Sequence, residues 1–334
     1  MRKKTASLIL GISAFLLIVA AVSALFLRQE KKTENRSFFS MDTYVTVSAL
    51  GGDPDKIVST IESLSSALDM HSGILSEANG TDAIENSDIY SVAVETLRLN
   101  GIYGNDVDIT SGALTSLWNV NGENPEVPDD AEIEKALSTI GTEKLRADDG
   151  ILYKSKDTVL DFGSVAKGYA LDRVYDGLVE SDAEYAIVST GSSSLLYGEK
   201  PDGSPFRIEI KNPDGSDTPL GMIQVGECFI STSGGYERFF TADGKKYCHI
   251  LDLSTGYPTE SDLVSVTVIS DKSGGGIETD FLSTMIFLGG TESLDKHLSS
   301  EEYSVVAADS DGNIYVSEGL DFTLYDNNGY SLCE

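Results

Sequence analysis

The strongest constraint on the fold lies in the second half of the chain. From Glu184 onward it breaks into short β-rich runs, "EYAIVS", "FRIEI", "MIQVG", "CFIST", "YERFFT", "YCHILD" and "LVSVTVIS", separated by "PDG", "NPDG" and "ADG" turns. Runs this short, alternating in polarity and closed by Pro, Asp and Gly, specify strands joined by tight turns. A largely antiparallel sheet follows. "GGGIETDFLSTMIFLGG" then reads as a glycine loop, a helix and a glycine stop, and "YSVVAAD", "GNIYVSE" and "FTLYD" return to strand.

The first half is mostly helical. "FFSMDTYVTVSALGG" alternates like a first strand, and "DPDKIVSTIESLSSALDMH" places Ile57, Ile61, Leu64 and Leu68 on one stripe behind an Asp53 or Asp55 N-cap. Further helices are expected over 87–99, 130–140 and 164–179. Helices and antiparallel strands without regular βαβ alternation make the fold class α+β.

Between Lys4 and Arg28 stand 23 uncharged residues. As a helix, at about 1.5 Å per residue, they reach roughly 35 Å and span a bilayer. Arg2, Lys3 and Lys4 precede the run, which keeps the N-terminus in the cytoplasm and sends the rest outward. Two readings stand: an uncleaved anchor, or a signal peptide cut after Ala24 behind the small-residue pattern Val22-Ser23-Ala24. The expected layout is residues 1–28 as anchor or signal segment, 29–37 as a charged linker, and 38–334 as one folded domain.

Net charge narrows the partners. The whole chain carries −30, and residues 1–36, with seven Lys or Arg against two Asp or Glu, contribute +5, leaving −35 on residues 37–334. Such a body repels nucleic acid and anionic headgroups, so no nucleic-acid partner is expected. It also repels a nucleotide unless a bound cation offsets the field. Cys228, Cys248 and Cys333 lack CxxC spacing; one disulfide is possible, but neither a disulfide framework nor a zinc site.

Several stretches have the residue types of a site. "LDFGSVAKGYALD" enters a helix through Gly163 and Ser164, where free N–H groups and Lys167 suit a phosphate, although an ordinary capped helix explains the same residues. Asp280 and Thr284, at i and i+4, put two oxygens on one helix face, a pattern for Mg²⁺ or for a plain polar stripe. "DVDITSGALTSLWNV" holds Trp118, the single tryptophan, either core or a platform for a planar ligand. In "KKYCHILDLSTGYP", Cys248, His249 and Asp252 resemble a catalytic triad in sequence only. Strand alternation points Cys248 and His249 to opposite faces.

The order of these pieces, "MDTYVTV", "SEAN", "DITSGALTSLW", "LDFGSVAKGYALD", "STSGGYERFFTADGKKYCHILDLSTGYP", "LVSVTVIS" and "ETDFLSTMIFLGG", resembles the landmarks of the ApbE-like FAD:protein FMN transferases over residues 38–315. The resemblance implies an Mg²⁺-dependent enzyme that cleaves FAD, moves FMN onto a Thr or Ser hydroxyl of a partner carrying a D-x-x-S/T-G-A-T/S motif, and releases AMP. Its partners are then FAD and extracytoplasmic electron-transfer flavoproteins. Carried over position by position, it implies Asp280, Thr284 and Ser164 as metal ligands, and Met41, Asp106, Val107, Asp108, Asp161, Lys167 and Val264 as FAD contacts. His249 is implied to assist deprotonation of the attacking hydroxyl. Gly191-Ser192-Ser193 departs from the family's Gly-Gly-Asp, and Leu253 stands where proline is usual after Asp252.

Overall fold

The computed structural model describes residues 32–326 and 328–333. The expected anchor or signal segment, 1–28, lies outside the described residues, as does the first part of the linker. Among the described residues no helix is long and apolar enough to cross a membrane.

A nine-stranded sheet is the backbone of the fold, and its strands follow one another across it in chain order. They are β1 (Thr33–Ser40), β2 (Thr43–Leu50), β3 (Tyr185–Thr190), β4 (Ser193–Gly198), β5 (Cys228–Ser233), β6 (Leu263–Ser270), β7 (Ser304–Asp309), β8 (Asn313–Val316) and β9 (Ser331–Leu332). Pairing is antiparallel from β2 through β8; only β8 and β9 run parallel. The expectation of α+β architecture on a largely antiparallel sheet holds.

Period-two alternation assigns each sheet face its own core. On β7, Val305 and Ala307 join a cluster with the helices, whereas Val306 and Ala308 join a second cluster against a three-stranded sheet of Phe206–Ile210, Gly221–Val225 and Phe322–Leu324. The helical layer comprises α1 (Pro54–Leu68), α2 (Gly73–Ala78), α3 (Ser87–Tyr103), α4 (Gly112–Trp118), α5 (Asp130–Leu137), α6 (Ala166–Val179), α7 (Gly276–Gly289) and α8 (Leu294–Leu298). Asp53 is the α1 N-cap, its carboxylate accepting from the Asp55 and Lys56 N–H groups.

Two sequence expectations change. "FFSMDTYVTVSALGG" is not one strand but a hairpin, with β1 beginning at Thr33 and the chain reversing at Met41-Asp42. Both turn residues are left-handed, at φ 51° and 56°, without a glycine to signal it. "YCHILD" is not continuous either, because the strand Lys245–Cys248 ends and His249 lies in a bend before Leu251–Asp252.

Helices α6 and α7 cross at two glycines. A Cβ on Gly168 would stand 2.1 Å from the Gly276 carbonyl oxygen, and one on Gly276 would stand 2.4 Å from that of Gly168. No side chain of α7 caps its N-terminus; instead the Asp172 carboxylate of α6 accepts from the N–H groups of Gly276 and Ile277 at 2.7 and 2.9 Å. These two bonds satisfy N–H groups that the first turn of the helix leaves unpaired. Gly168→Ala must push the helices apart, and its expected cost is about 1–3 kcal/mol, measured as a lower urea midpoint with an unchanged m-value.

Candidate active site

A cavity of about 710 Å³ opens where the helical layer meets the β1–β2 turn and the loop carrying His249. Its volume falls in the range of nucleotide-sized ligand sites. Carboxylates outnumber cations along its wall, where Lys167 and Arg238 are the only lysine and arginine among the described residues.

Ten of the eleven expected site residues line this one cavity: Met41, Asp106, Val107, Asp108, Asp161, Ser164, Lys167, His249, Asp280 and Thr284. They come from five separate stretches of chain, at 41, 106–108, 161–167, 249 and 280–284. Val264 does not line it. Its side chain packs in the cluster on the far face of the sheet, past a register shift between Leu263 and Ser265.

Asp280 is 6% exposed, on the second turn of α7. Its Oδ2 accepts from the Gly168 N–H at 2.6 Å and its Oδ1 from the Ser193 hydroxyl at 2.5 Å. Both donors are neutral, so the carboxylate is oriented without a countercharge from them. One turn on, Thr284 Oγ1 lies 3.1 Å from Ser233 Oγ. A buried carboxylate, a threonine hydroxyl and Ser164 on the same wall form an all-oxygen donor set, which fits a hard divalent cation and not a soft one.

The α6 entrance differs from the expected array of open N–H groups. The helix starts at Ala166, after Ser164; the Ala166 N–H bonds to the Phe162 carbonyl, and that of Gly168 is given to Asp280. This entrance therefore orients a carboxylate. Lys167, one residue earlier, supplies the local positive side chain.

His249 Nδ1 lies 3.3 Å from the Arg238 carbonyl oxygen, which also accepts from the His249 N–H at 3.1 Å. A carbonyl only accepts, so Nδ1 carries the proton and Nε2 keeps its lone pair. Burial, helped by the Arg238 and Lys167 charges, lowers the imidazole pKa to about 4. The ring is neutral at pH 7. Cys248 points elsewhere: it is buried, its thiol donates to the Ile250 carbonyl at 3.5 Å, and burial raises its pKa. All three cysteines are free.

Trp118 is core. It is fully buried, donates Nε1–H to the Gly256 carbonyl at 2.8 Å, and packs against Phe240, Tyr247 and Tyr257. Sequence reasoning missed Ser193, Ser233 and Arg238, which line or brace the cavity. Ser193 lies 87 positions from the Asp280 it contacts, and no local periodicity reports a contact at that separation.

A profile of the ApbE family matches residues 41–307, which include every one of these cavity residues except those at the β1 end. The chain belongs to the ApbE family. The crystal structure of the ApbE protein of Thermotoga maritima superposes with a TM-score of 0.77 at 28% identity, covering 86% of this chain and 97% of that one. The apo flavinyl transferase ApbE of Pseudomonas stutzeri gives 0.74 at 25% identity, covering 90% and 96%. In sequence, the FAD:protein FMN transferase of Vibrio cholerae is 35% identical over 206 residues, 60% of this chain and 61% of that protein. That of Treponema pallidum is 28% identical over 233 residues, 65% and 64% respectively. The matches thus span about three fifths of these curated relatives. Ser193 serves in this chain as the hydroxyl donor to Asp280.

Proposed function

We propose that this ApbE-family chain is an FAD:protein FMN transferase that uses Mg²⁺ and moves FMN from FAD to a Thr or Ser hydroxyl of an extracytoplasmic flavoprotein, releasing AMP. The observation that carries this reading is a single cavity holding both the Asp280–Thr284 oxygen pair and a neutral imidazole with a free ring nitrogen. Relatives named for that activity support it. The outward location rests on the apolar N-terminal run and the basic residues before it.

The reaction forms one P–O bond and breaks another. The acceptor hydroxyl oxygen attacks the FMN phosphorus, AMP departs with the electron pair of the anhydride P–O bond, and the hydroxyl proton passes to His249 Nε2. Lys167 lies on the cavity wall, where it can meet phosphate charge. Asp280, Thr284 and Ser164 are the residues that hold Mg²⁺, and the cation when bound offsets pyrophosphate charge in an otherwise acidic cavity. The acceptor is a protein with a D-x-x-S/T-G-A-T/S segment.

The test is to incubate the purified chain with FAD, Mg²⁺ and such an acceptor, then to measure the acceptor mass and the nucleotides. An FMN-sized mass increase with AMP is expected. AMP and free FMN without labelling would make the chain an FAD pyrophosphatase, and flavin binding without turnover would make it a carrier.

A further inference from the structure

We propose that Arg238 is a positioning residue that ties the Met41–Asp42 turn to His249, so that the flavin-side wall and the proton acceptor are set by one side chain and its own backbone. The proposal rests on the reading of His249 as the group that receives the hydroxyl proton.

The connection is physical at both ends. The Arg238 guanidinium donates from Nη2 to the Asp42 carbonyl at 3.1 Å, across 196 positions of sequence. Its carbonyl oxygen takes the His249 N–H at 3.1 Å and faces Nδ1 at 3.3 Å, which fixes the tautomer that leaves Nε2 free. Met41, Asp42, Arg238 and His249 all line the cavity.

The turn needs such a hold. Two consecutive non-glycine residues in the left-handed region store backbone strain, which persists only where surrounding contacts over-determine it. Here those contacts are Ser65 Oγ, accepting from the Met41 N–H at 3.1 Å, and Arg238 on the Asp42 carbonyl. Ser65 belongs to α1, so the turn is held from the helical layer on one side and from the His249 loop on the other. Without the guanidinium the turn is free to relax, and the carbonyl that orients the imidazole loses its anchor.

Arg238 also acts on His249 through charge. The groups that influence the ring electrostatically are Arg238 and Lys167, which disfavour its protonation, and Glu237, which favours it. Replacing the guanidinium with an amide removes one of the two cations; replacing it with lysine keeps the charge but not the planar fork. The two variants separate the roles.

The experiment is an NMR titration of the imidazole carbons in the full chain, run beside steady-state kinetics with FAD. His249 is one of three histidines, and its resonance is identified by its loss in His249→Gln. The wild-type midpoint is expected at about 4. In Arg238→Gln it moves upward toward the unperturbed value of about 6.5, and kcat falls by about tenfold to a hundredfold. In Arg238→Lys the midpoint stays low while the KM for FAD rises severalfold through the freed turn. A residue with only a structural role leaves the midpoint where it is. An unchanged midpoint and unchanged kcat in Arg238→Gln overturn the proposal; if that variant does not fold, wild-type KM and kcat in Arg238→Lys overturn it. A wild-type chain that titrates as expected but turns over no FAD refutes the proposed function instead.

Discussion

Replacing Asp280 with asparagine is expected to abolish divalent-cation binding in the cavity and to lower FAD turnover by about 10³-fold, while leaving the melting temperature close to wild type. Asparagine keeps the shape of the side chain and removes its charge. Its carbonyl oxygen can take the Gly168 N–H, and the Ser193 hydroxyl can rotate to accept from the amide, so neither donor at 2.6 and 2.5 Å is stranded. What disappears is the charged ligand. In a body carrying −35 over residues 37–334, with an acidic cavity wall, nothing else in the site compensates a pyrophosphate anion to the same degree. Lys167→Ala, which removes a half-buried cation from the same cavity, is expected to cost about tenfold, because a monovalent, partly screened charge offsets less phosphate charge than a bound divalent cation. Mn²⁺ binding followed by EPR tests the ligand assignment without relying on activity. An Asp280→Asn chain that binds Mn²⁺ with wild-type affinity and turns over FAD normally refutes it.

The legible parts of this fold were those written in local patterns. Asp280 and Thr284 could be paired because i, i+4 spacing is a property of any helix, and the strands after Glu184 could be found because turn residues bracket them. The β1–β2 hairpin stayed hidden because its turn is Met-Asp, held in the left-handed region by Ser65 and Arg238 and not by a glycine. Val264 rests on the resemblance, with its spacing from His249 as the only guide. Both the bend at 249–250 and the register shift between Leu263 and Ser265 break that count, and one residue of slip moves a side chain to the opposite sheet face. The helix entrance at 163–168 leaves a phosphate site and an ordinary capped helix both open, because local sequence reveals free donors but not the carboxylate that arrives 112 positions later to use one. Trp118 shows the reverse case: the Asp106–Asp108 segment near it lines the cavity, but the indole itself is buried core.

His249→Gln is expected to reduce transfer by about 10²–10⁴-fold at pH 7 without weakening cation binding. The remaining glutamine can still occupy the bend, but it has no nitrogen that accepts a proton near neutral pH. The direction of the pH dependence follows from the neutral form being the active one. With the folded-state pKa lowered to about 4, the ring is unprotonated throughout the neutral range, and its contribution to rate is lost only as the pH falls through about 4. An ordinary histidine would lose it near 6.5. The same shift has a thermodynamic counterpart. Between about 6.5 and 4 the unfolded chain binds a proton at this position that the folded chain refuses, so the stabilising contribution is complete above the unfolded pKa and is lost as the pH falls toward the folded one. His249→Gln therefore should also make stability less sensitive to pH across that window. The low basicity has a kinetic consequence as well, since a base with a pKa of about 4 draws the proton weakly from a hydroxyl. Rate–pH profiles of the wild-type and His249→Gln chains from pH 3.5 to 8 decide the matter: an acid limb centred near 6.5 in the wild type refutes the lowered pKa, and a His249→Gln chain with wild-type turnover shows that another group receives the proton.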